Sequence, residues 1–284
     1  MSDQLRRFLF EQQDARGCIV HLRETCEAIQ ATHHYPPNLA VVLNQFAAAV
    51  ALLRDSIKID GSVTLQMRSP GAISLIMADC TADRKVRAVA EFDQQNLAAD
   101  DSIDFTQLGD GAVLAITITP DQGERYQAIV PIEHSELEGC LEDYFARSEQ
   151  LPSWFRLLAD NEQCIAIAIH ALPAQIETDS MASTNNFEHL QVLLKSINKE
   201  EALSLNSEQI LTRLFHAESC RLFPQVMVEF GCPCSKEKSL AAIKALGEDD
   251  ITALIEEEKA KGNHRVVVDC HFCFQRYEFE FSEF

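Results

Sequence analysis

The spacing of apolar residues changes several times along this chain. Residues 36 to 54 open on Pro36-Pro37, a favourable helix start, and continue through alanines, valines and leucines that are apolar nearly all round. A helix without a polar face is predicted to be buried. From Gly61 the period shortens to two. Val63, Leu65 and Met67 alternate with polar residues, Ser69-Pro70-Gly71 interrupts, and Ile73, Leu75 and Met77 resume. That is the pattern of a hairpin or meander. Residues 113–119 and 126–130 flank the turn-rich Pro120-Asp121-Gln122-Gly123 and predict another antiparallel pair. Leu137, Leu141, Tyr144 and Phe145 place a helix over 134–147, and Ile165, Ile167 and Ile169 alternate with alanines in a further strand. Runs of strands with helices between and beside them predict an α+β domain ending near Pro173.

The polar run from Glu177 to Asn186 has little to bury and marks the start of a linker. Beyond it, Phe187, Leu190, Leu193, Leu194 and Ile197 share one helical face, and a capping box of Asn206 and Gln209 precedes Ile210, Leu211, Leu214 and Phe215. Short helices with charge between their apolar positions are marginal alone, so these are expected to need a surface to dock on. In the tail, Leu240, Ile243 and Leu246 predict a helix stopped by Gly247, and Asp250, Ile251, Leu254 and Ile255 a second helix ending near Gly262. Val266 to Val268, then Tyr277, Phe279 and Phe281, read as two strands. The chain therefore divides into a large α+β core domain (1–176), a helical linker (177–231) and a small C-terminal domain (232–284). The last is too short to hold a core readily without a staple.

Charge narrows the setting. Twenty-four basic against 44 acidic residues give a formal net charge of -20, which repels nucleic-acid backbones and anionic membrane surfaces. The N-terminus lacks the long apolar run and cleavage site of a leader, and no stretch reads as a membrane span of roughly 18 to 20 apolar residues. A cytoplasmic protein is expected. In a reducing compartment, ten cysteines imply metal or redox chemistry more than disulfide staples. Six of them, Cys18, Cys26, Cys80, Cys140, Cys164 and Cys220, are scattered.

The other four form Cys232-Pro233-Cys234 and Cys270-His271-Phe272-Cys273, the second pair on the turn between the two predicted strands. Two close pairs in one short segment suit a tetrahedral zinc ion, in a zinc-ribbon-like arrangement. Such an ion holds a fold, grips a partner, or is there to be lost. In a small metallo-domain, zinc binding of about 10 to 16 kcal/mol is essentially the folding free energy. Oxidation by peroxide or hypochlorous acid removes two thiolate donors for each disulfide formed, so chemical damage becomes loss of a folded module. A linker held partly by that module would then loosen and uncover apolar surface.

Other chemistry has less support. His271 lies between two of the cysteines on a turn where adjacent side chains diverge, and His33, His34 and His216 read as surface or helix-face histidines. Cys220 reads as an inert, partly buried thiol. A zinc ribbon that binds nucleic acid would need a basic stripe, yet the tail from Gly231 has seven basic and eleven acidic residues. A thiol-disulfide oxidoreductase would place its Cys-x-x-Cys between a strand and a helix. There is no Gly-x-x-x-x-Gly-Lys loop and no nucleophile elbow, so neither ATP use nor an enzyme activity is expected.

The chain resembles the redox-regulated 33-kDa heat-shock protein family, bacterial chaperones that hold unfolding proteins without ATP. Arg213-Leu214-Phe215-His216, Cys232-Pro233-Cys234-Ser235, Leu246-Gly247, Cys270-His271-Phe272-Cys273 and Tyr277 with Phe279 carry the resemblance. Tyr144-Phe145, Ser148-Glu149-Gln150-Leu151-Pro152 and Gly109-Asp110-Gly111 extend it to the N-terminal part. Pro233 departs from the pattern, where serine is expected. The resemblance implies one Zn2+ per chain in a reduced, inactive state, with Cys232, Cys234, Cys270 and Cys273 as both the metal ligands and the redox-active residues. It further implies disulfides Cys232–Cys234 and Cys270–Cys273 on oxidation, zinc release, linker unfolding, a homodimer, and unfolding proteins as clients.

Overall fold

The fold is that of a computed structural model describing residues 3–57, 60–97, 102–173, 175–176 and 179–284. Met1, Ser2, Glu177 and Thr178, which bear on the leader and linker-start readings, lie outside the described residues. The chain separates into two units, one up to Phe230 and one from Gly231 to Phe284.

The first unit runs β1 (Gln4–Phe10), β2 (Ala15–Leu22), α1 (Glu24–Thr32), α2 (Pro37–Ser56), β3 (Gly61–Arg68), β4 (Ile73–Cys80) and β5 (Lys85–Phe92). It continues through β6 (Val113–Pro120), β7 (Tyr126–Pro131), α3 (Leu137–Tyr144), β8 (Ser153–Ala159) and β9 (Cys164–Ala171). Three helices follow, α4 (Ser180–Lys195), α5 (Lys199–Ser204) and α6 (Ser207–Phe215), then three short strands, β10 (Cys220–Leu222), β11 (Val226–Met227) and β12 (Glu229–Phe230). The second unit holds α7 (Lys236–Lys244), α8 (Glu248–Ala260), β13 (Arg265–Asp269) and β14 (Arg276–Glu280). The class is α+β, as expected.

Helix α2 organises the first unit. Pro37 sits in its first turn, where a missing N–H costs nothing, and thirteen of its twenty residues are buried. Contrary to the expectation that no stretch reads as a span, it is the one helix among the described residues long and apolar enough to cross a membrane, and its burial in the core accounts for that composition. Two antiparallel sheets supply strands to its core. One has the order β10-β1-β2-β9-β8, with β11 also on β1. The other has the order β12-β5-β4-β3-β6-β7, in which β12 pairs parallel to β5.

Strand β9 shows how a two-sided strand sorts its residues. Ala166 and Ala168 belong to the core around α2, where small side chains let helix and sheet approach closely. Ile165, Ile167 and Ile169 point the other way, into a second core with Phe8, Phe10, Ile19 and Leu158. That second face is covered by α4, α5 and α6. Leu190, Leu194, Ile197, Ala202, Ile210, Leu211, Leu214 and Phe215 are buried on it. Phe215 meets Phe10 edge to face at 5.1 Å and Phe8 at 6.2 Å, while Trp154 stacks on Phe187 at 5.6 Å. The predicted need for a docking surface is met here. Asp179, Asn198 and Asn206 cap the three helices, and Asn206 with Gln209 forms the predicted capping box.

Three local expectations change. A bulge between Ile73 and Leu75 shifts the register of β4, so Ile76 and Ala78 face the core while Leu75 and Met77 are only partly buried. The helix expected over 134–147 begins at Leu137 and widens after Tyr144 into a π turn, Phe145–Glu149, which buries both Tyr144 and Phe145. After α6 the chain is extended: β10 and β11 add to β1, and β12 adds to β5, so the segment preceding Cys232 is built into both sheets.

Candidate metal centre

In the second unit Ser235 caps α7 by accepting from the Lys238 N–H, and Gly247, at φ 103°, breaks the chain between α7 and α8. Leu246 lies beyond α7 and is exposed rather than on a buried helical face. The strands β13 and β14 pair from Arg265–Glu280 to Asp269–Arg276. Only Ile243, Val266 and Phe279 are buried apolar residues in this unit, with Leu240, Ile251, Leu254, Val268, Tyr277, Phe281 and Phe284 packed partly around them.

The turn between β13 and β14 carries Cys270 and Cys273. The Phe274 N–H donates to the Cys270 carbonyl and the Cys270 N–H to that of Gln275, with Phe274 in the left-handed region at φ 54°. The turn is tight enough to aim both sulfurs to one side. Opposite it, Cys232 and Cys234 precede the capped start of α7, and the Lys238 Nζ holds the Pro233 carbonyl at 2.7 Å. Cys234 thus lies directly before the capped start of α7.

All four Sγ atoms lie within 4.8 Å of one another. Between the pairs, Cys232 stands 3.6 Å from Cys270 and Cys234 3.5 Å from Cys273. Four sulfurs about 2.3 Å from a tetrahedral zinc ion stand about 3.8 Å apart, so the cluster has the size such an ion requires. A set of four thiols also selects soft metals over calcium or magnesium. These residues can hold a metal ion, and zinc is compatible with them. His271 is not part of the convergent set.

Proton affinity separates one member of this cluster, Cys270, from the scattered thiols. Burial opposes ionisation of Cys270, but the Cys273 and Phe272 N–H groups and the neighbouring thiols donate to its sulfur and bring it down to about 7. Burial and the adjacent thiols push Cys273 up. Elsewhere burial pushes Cys80 up to about 12 and Cys140 and Cys220 up to about 11, and raises Cys18, Cys26 and Cys164 as well. The thiol most easily ionised is therefore Cys270, and Cys220 is the protonated, partly buried thiol expected.

One contact was not anticipated from the sequence. The Tyr277 hydroxyl donates to Cys234 Sγ at 3.2 Å, which holds the phenol protonated. Tyr277 faces the cluster because it is two residues from the buried Phe279 on β14.

Comparison with known proteins covers nearly the whole chain. The family described as "Hsp33 protein" matches residues 3–280. The chain belongs to the Hsp33 family. It is 38% identical over 283 residues to the 33 kDa chaperonin of Ectopseudomonas mendocina, covering 100% of this chain and 94% of that protein. It is 40% identical over 281 residues to the 33 kDa chaperonin of Azotobacter vinelandii, covering 99% and 93%. The crystal structure of the 33 kDa chaperonin (heat shock protein 33 homolog) from Thermotoga maritima superposes with a TM-score of 0.79 at 20% identity, covering 99% of this chain and 96% of that one, which establishes the shared fold. The Hsp33 family places the protein among heat-shock chaperones, whose partners are client proteins.

Proposed function

We propose that this Hsp33-family protein is a redox-regulated, ATP-independent holdase of the cytoplasm, divided into a core domain (1–176), a linker (177–231) and a zinc switch (232–284). In the reduced state Cys232, Cys234, Cys270 and Cys273 hold one Zn2+. The ion supplies a tetrahedral crosslink between the start of α7 and the β13–β14 turn. The observation that carries this reading is the convergence of four thiols within 4.8 Å in a unit that buries only three apolar side chains. Without the crosslink, so small a core does not hold 54 residues.

A two-electron oxidant such as peroxide converts each pair of thiolates to a disulfide and is itself reduced to water. Bridges Cys232–Cys234 and Cys270–Cys273 consume all four donors and leave the two halves of the unit unconnected. The metal is then lost and the unit unfolds. Strand β12 ends two residues before Cys232, so the short strands β10 to β12 lose a folded neighbour on the chain and fray. Detachment of α4, α5 and α6 uncovers the sheet face of Phe8, Phe10, Ile19, Ile165, Ile167 and Ile169, an apolar platform for unfolding polypeptides. Dimerisation of the oxidised form adds to this surface, and the net charge of -20 keeps the loaded chaperone in solution.

Two alternatives fit less well. In the tail, Lys236, Lys261, Arg265 and Arg276 are engaged by Glu283, Glu257 with Glu258, Glu278 with Glu280, and Asp269, which leaves no basic stripe for nucleic acid. The Cys270–Cys273 turn opens onto a strand, without the helix start that activates a disulfide oxidoreductase.

The test is aggregation of a thermally unfolding client in the presence of reduced or peroxide-treated protein, with zinc release followed in the same samples. Oxidation is expected to release one zinc per chain and suppress aggregation, and a thiol reductant with zinc to reverse both. Equal suppression by the reduced, metal-loaded protein would exclude the redox switch.

A further inference from the structure

Beyond the C-terminal end of α2, the sheet of β1, β2, β9 and β8 carries a cavity of about 410 Å³ that the chaperone reading leaves unused. Leu9, Arg16, His170 and Ser153 are successive cross-strand partners, so their side chains form one row on the α2 side. Arg7, Asp55, Ser56 and Phe223 complete the relevant wall.

The polar groups here are satisfied, with one exception. The Ser153 hydroxyl donates to the Leu151 carbonyl at 2.9 Å, so it accepts from His170 Nδ1 at 2.7 Å. Nε2 of His170 is then the acceptor for the Ser56 hydroxyl at 2.9 Å. Burial, with the nearby Arg16 charge, holds the imidazole down at about 4, so it is neutral. Arg7 grips Asp55 with two bonds of 2.8 and 2.6 Å, and Arg84 stands 3.8 Å from the same carboxylate. The Arg16 guanidinium, by contrast, makes no hydrogen bond or ion pair among the described residues.

The wall therefore offers a neutral histidine, a neutralised aspartate, one unused guanidinium, and the apolar surfaces of Leu9 and Phe223. We propose that this cavity binds a small monocarboxylate with an apolar body, its carboxylate on the Arg16 fork and its body against Leu9 and Phe223. One guanidinium matches the two oxygens of a carboxylate in parallel hydrogen bonds. A phosphate dianion would need further donors, and Ser56 and His170 have already committed theirs. With Arg7 and Arg84 both on Asp55 and Arg16 unpaired, the site carries an excess of positive charge that favours an anion. Phe223 immediately follows β10, whose Leu222 pairs with Phe8, so the bound acid also secures this segment on β1.

Phenylacetate titrated into the full-length reduced protein by calorimetry at low ionic strength is expected to bind, whereas the uncharged phenylacetamide is not. Arg16→Gln should weaken phenylacetate by about tenfold or more, the loss of a charge-assisted pair. Arg16→Lys keeps the charge and removes the fork, so it should weaken binding even where the Gln variant fails to fold. Equal affinity for acid and amide, unchanged affinity in a folded Arg16 variant, or no binding at millimolar phenylacetate overturns the proposal.

Discussion

In the unit that ends at Phe230, α2 alone buries thirteen residues, and the sheet face away from it is covered by a second apolar cluster. In the unit that begins at Gly231, Ile243, Val266 and Phe279 are the buried apolar side chains, and α8 buries none of its residues fully. Burial at about 25 cal/mol per Å² offsets chain entropy in the first and falls short in the second. The difference teaches where a redox signal can act. A crosslink added to the large core would change little, whereas one removed from the small unit decides whether it is folded.

The largest effect expected from this contrast is that of the metal. Chelation under reducing conditions, or Cys273→Ser, should unfold residues 231–284 with a loss on the order of 10 kcal/mol, while α2 keeps its protection in amide exchange. Next come two matched truncations. Phe279→Ala and Phe46→Ala each remove about 3 to 5 kcal/mol of packing. The first should abolish the second unit's folding and weaken zinc retention, while the second leaves a folded but less stable first unit, as thermal unfolding followed with zinc release would show.

A smaller effect tests the linker. Phe215→Ala removes the ring between Phe8 and Phe10 and should loosen α6 by about 3 kcal/mol. Limited proteolysis should then cut within residues 180–215 before any other part of the first unit, and the reduced protein should gain partial holdase activity. The smallest effect is a pH dependence. Burial, and the hydrogen bond that the protonated carboxyl donates to Glu136, push Glu138 up to about 7, against the Leu157 N–H and Arg156. A raised carboxyl favours folding below its unfolded value and loses that contribution as pH rises through about 7. The first unit's Tm should fall by about 2 to 4 °C from about pH 6 to about pH 8. Glu138→Gln should remove most of this slope.

Much of the scaffold was legible because its signals are local. The proline pair at the start of α2, the breaker Ser69-Pro70-Gly71, the Asn206 and Gln209 box and the paired cysteines need no tertiary information. Strands β1, β2, β5 and β8 were harder to read. In β1, Arg6 and Arg7 interrupt the apolar spacing to reach Glu208 and Asp55, and β2 is buried on both faces, which erases alternation. Two- and three-residue strands such as β10 to β12 exist only because β1 and β5 offer edges. The cysteines could be read as a metal set from spacing, but the Tyr277 hydrogen bond to Cys234 depends on how β14 is turned, which a tyrosine in a strand pattern does not reveal.

The pairing of the bridges sharpens the comparison further. Sulfurs of different pairs stand 3.5 and 3.6 Å apart, and a Cys232–Cys270 or Cys234–Cys273 bridge would staple the small unit rather than release it. Peptide mapping of the peroxide-treated protein should therefore find Cys232 with Cys234 and Cys270 with Cys273.

Hydrogen exchange of the full-length protein before and after peroxide, with all four cysteines shown to be oxidised, tests the coupling most directly. Residues 231–284 and the helices α4, α5 and α6 should exchange rapidly after oxidation, while α2 stays protected. Persistent protection of residues 231–284 in the fully oxidised protein would contradict the account.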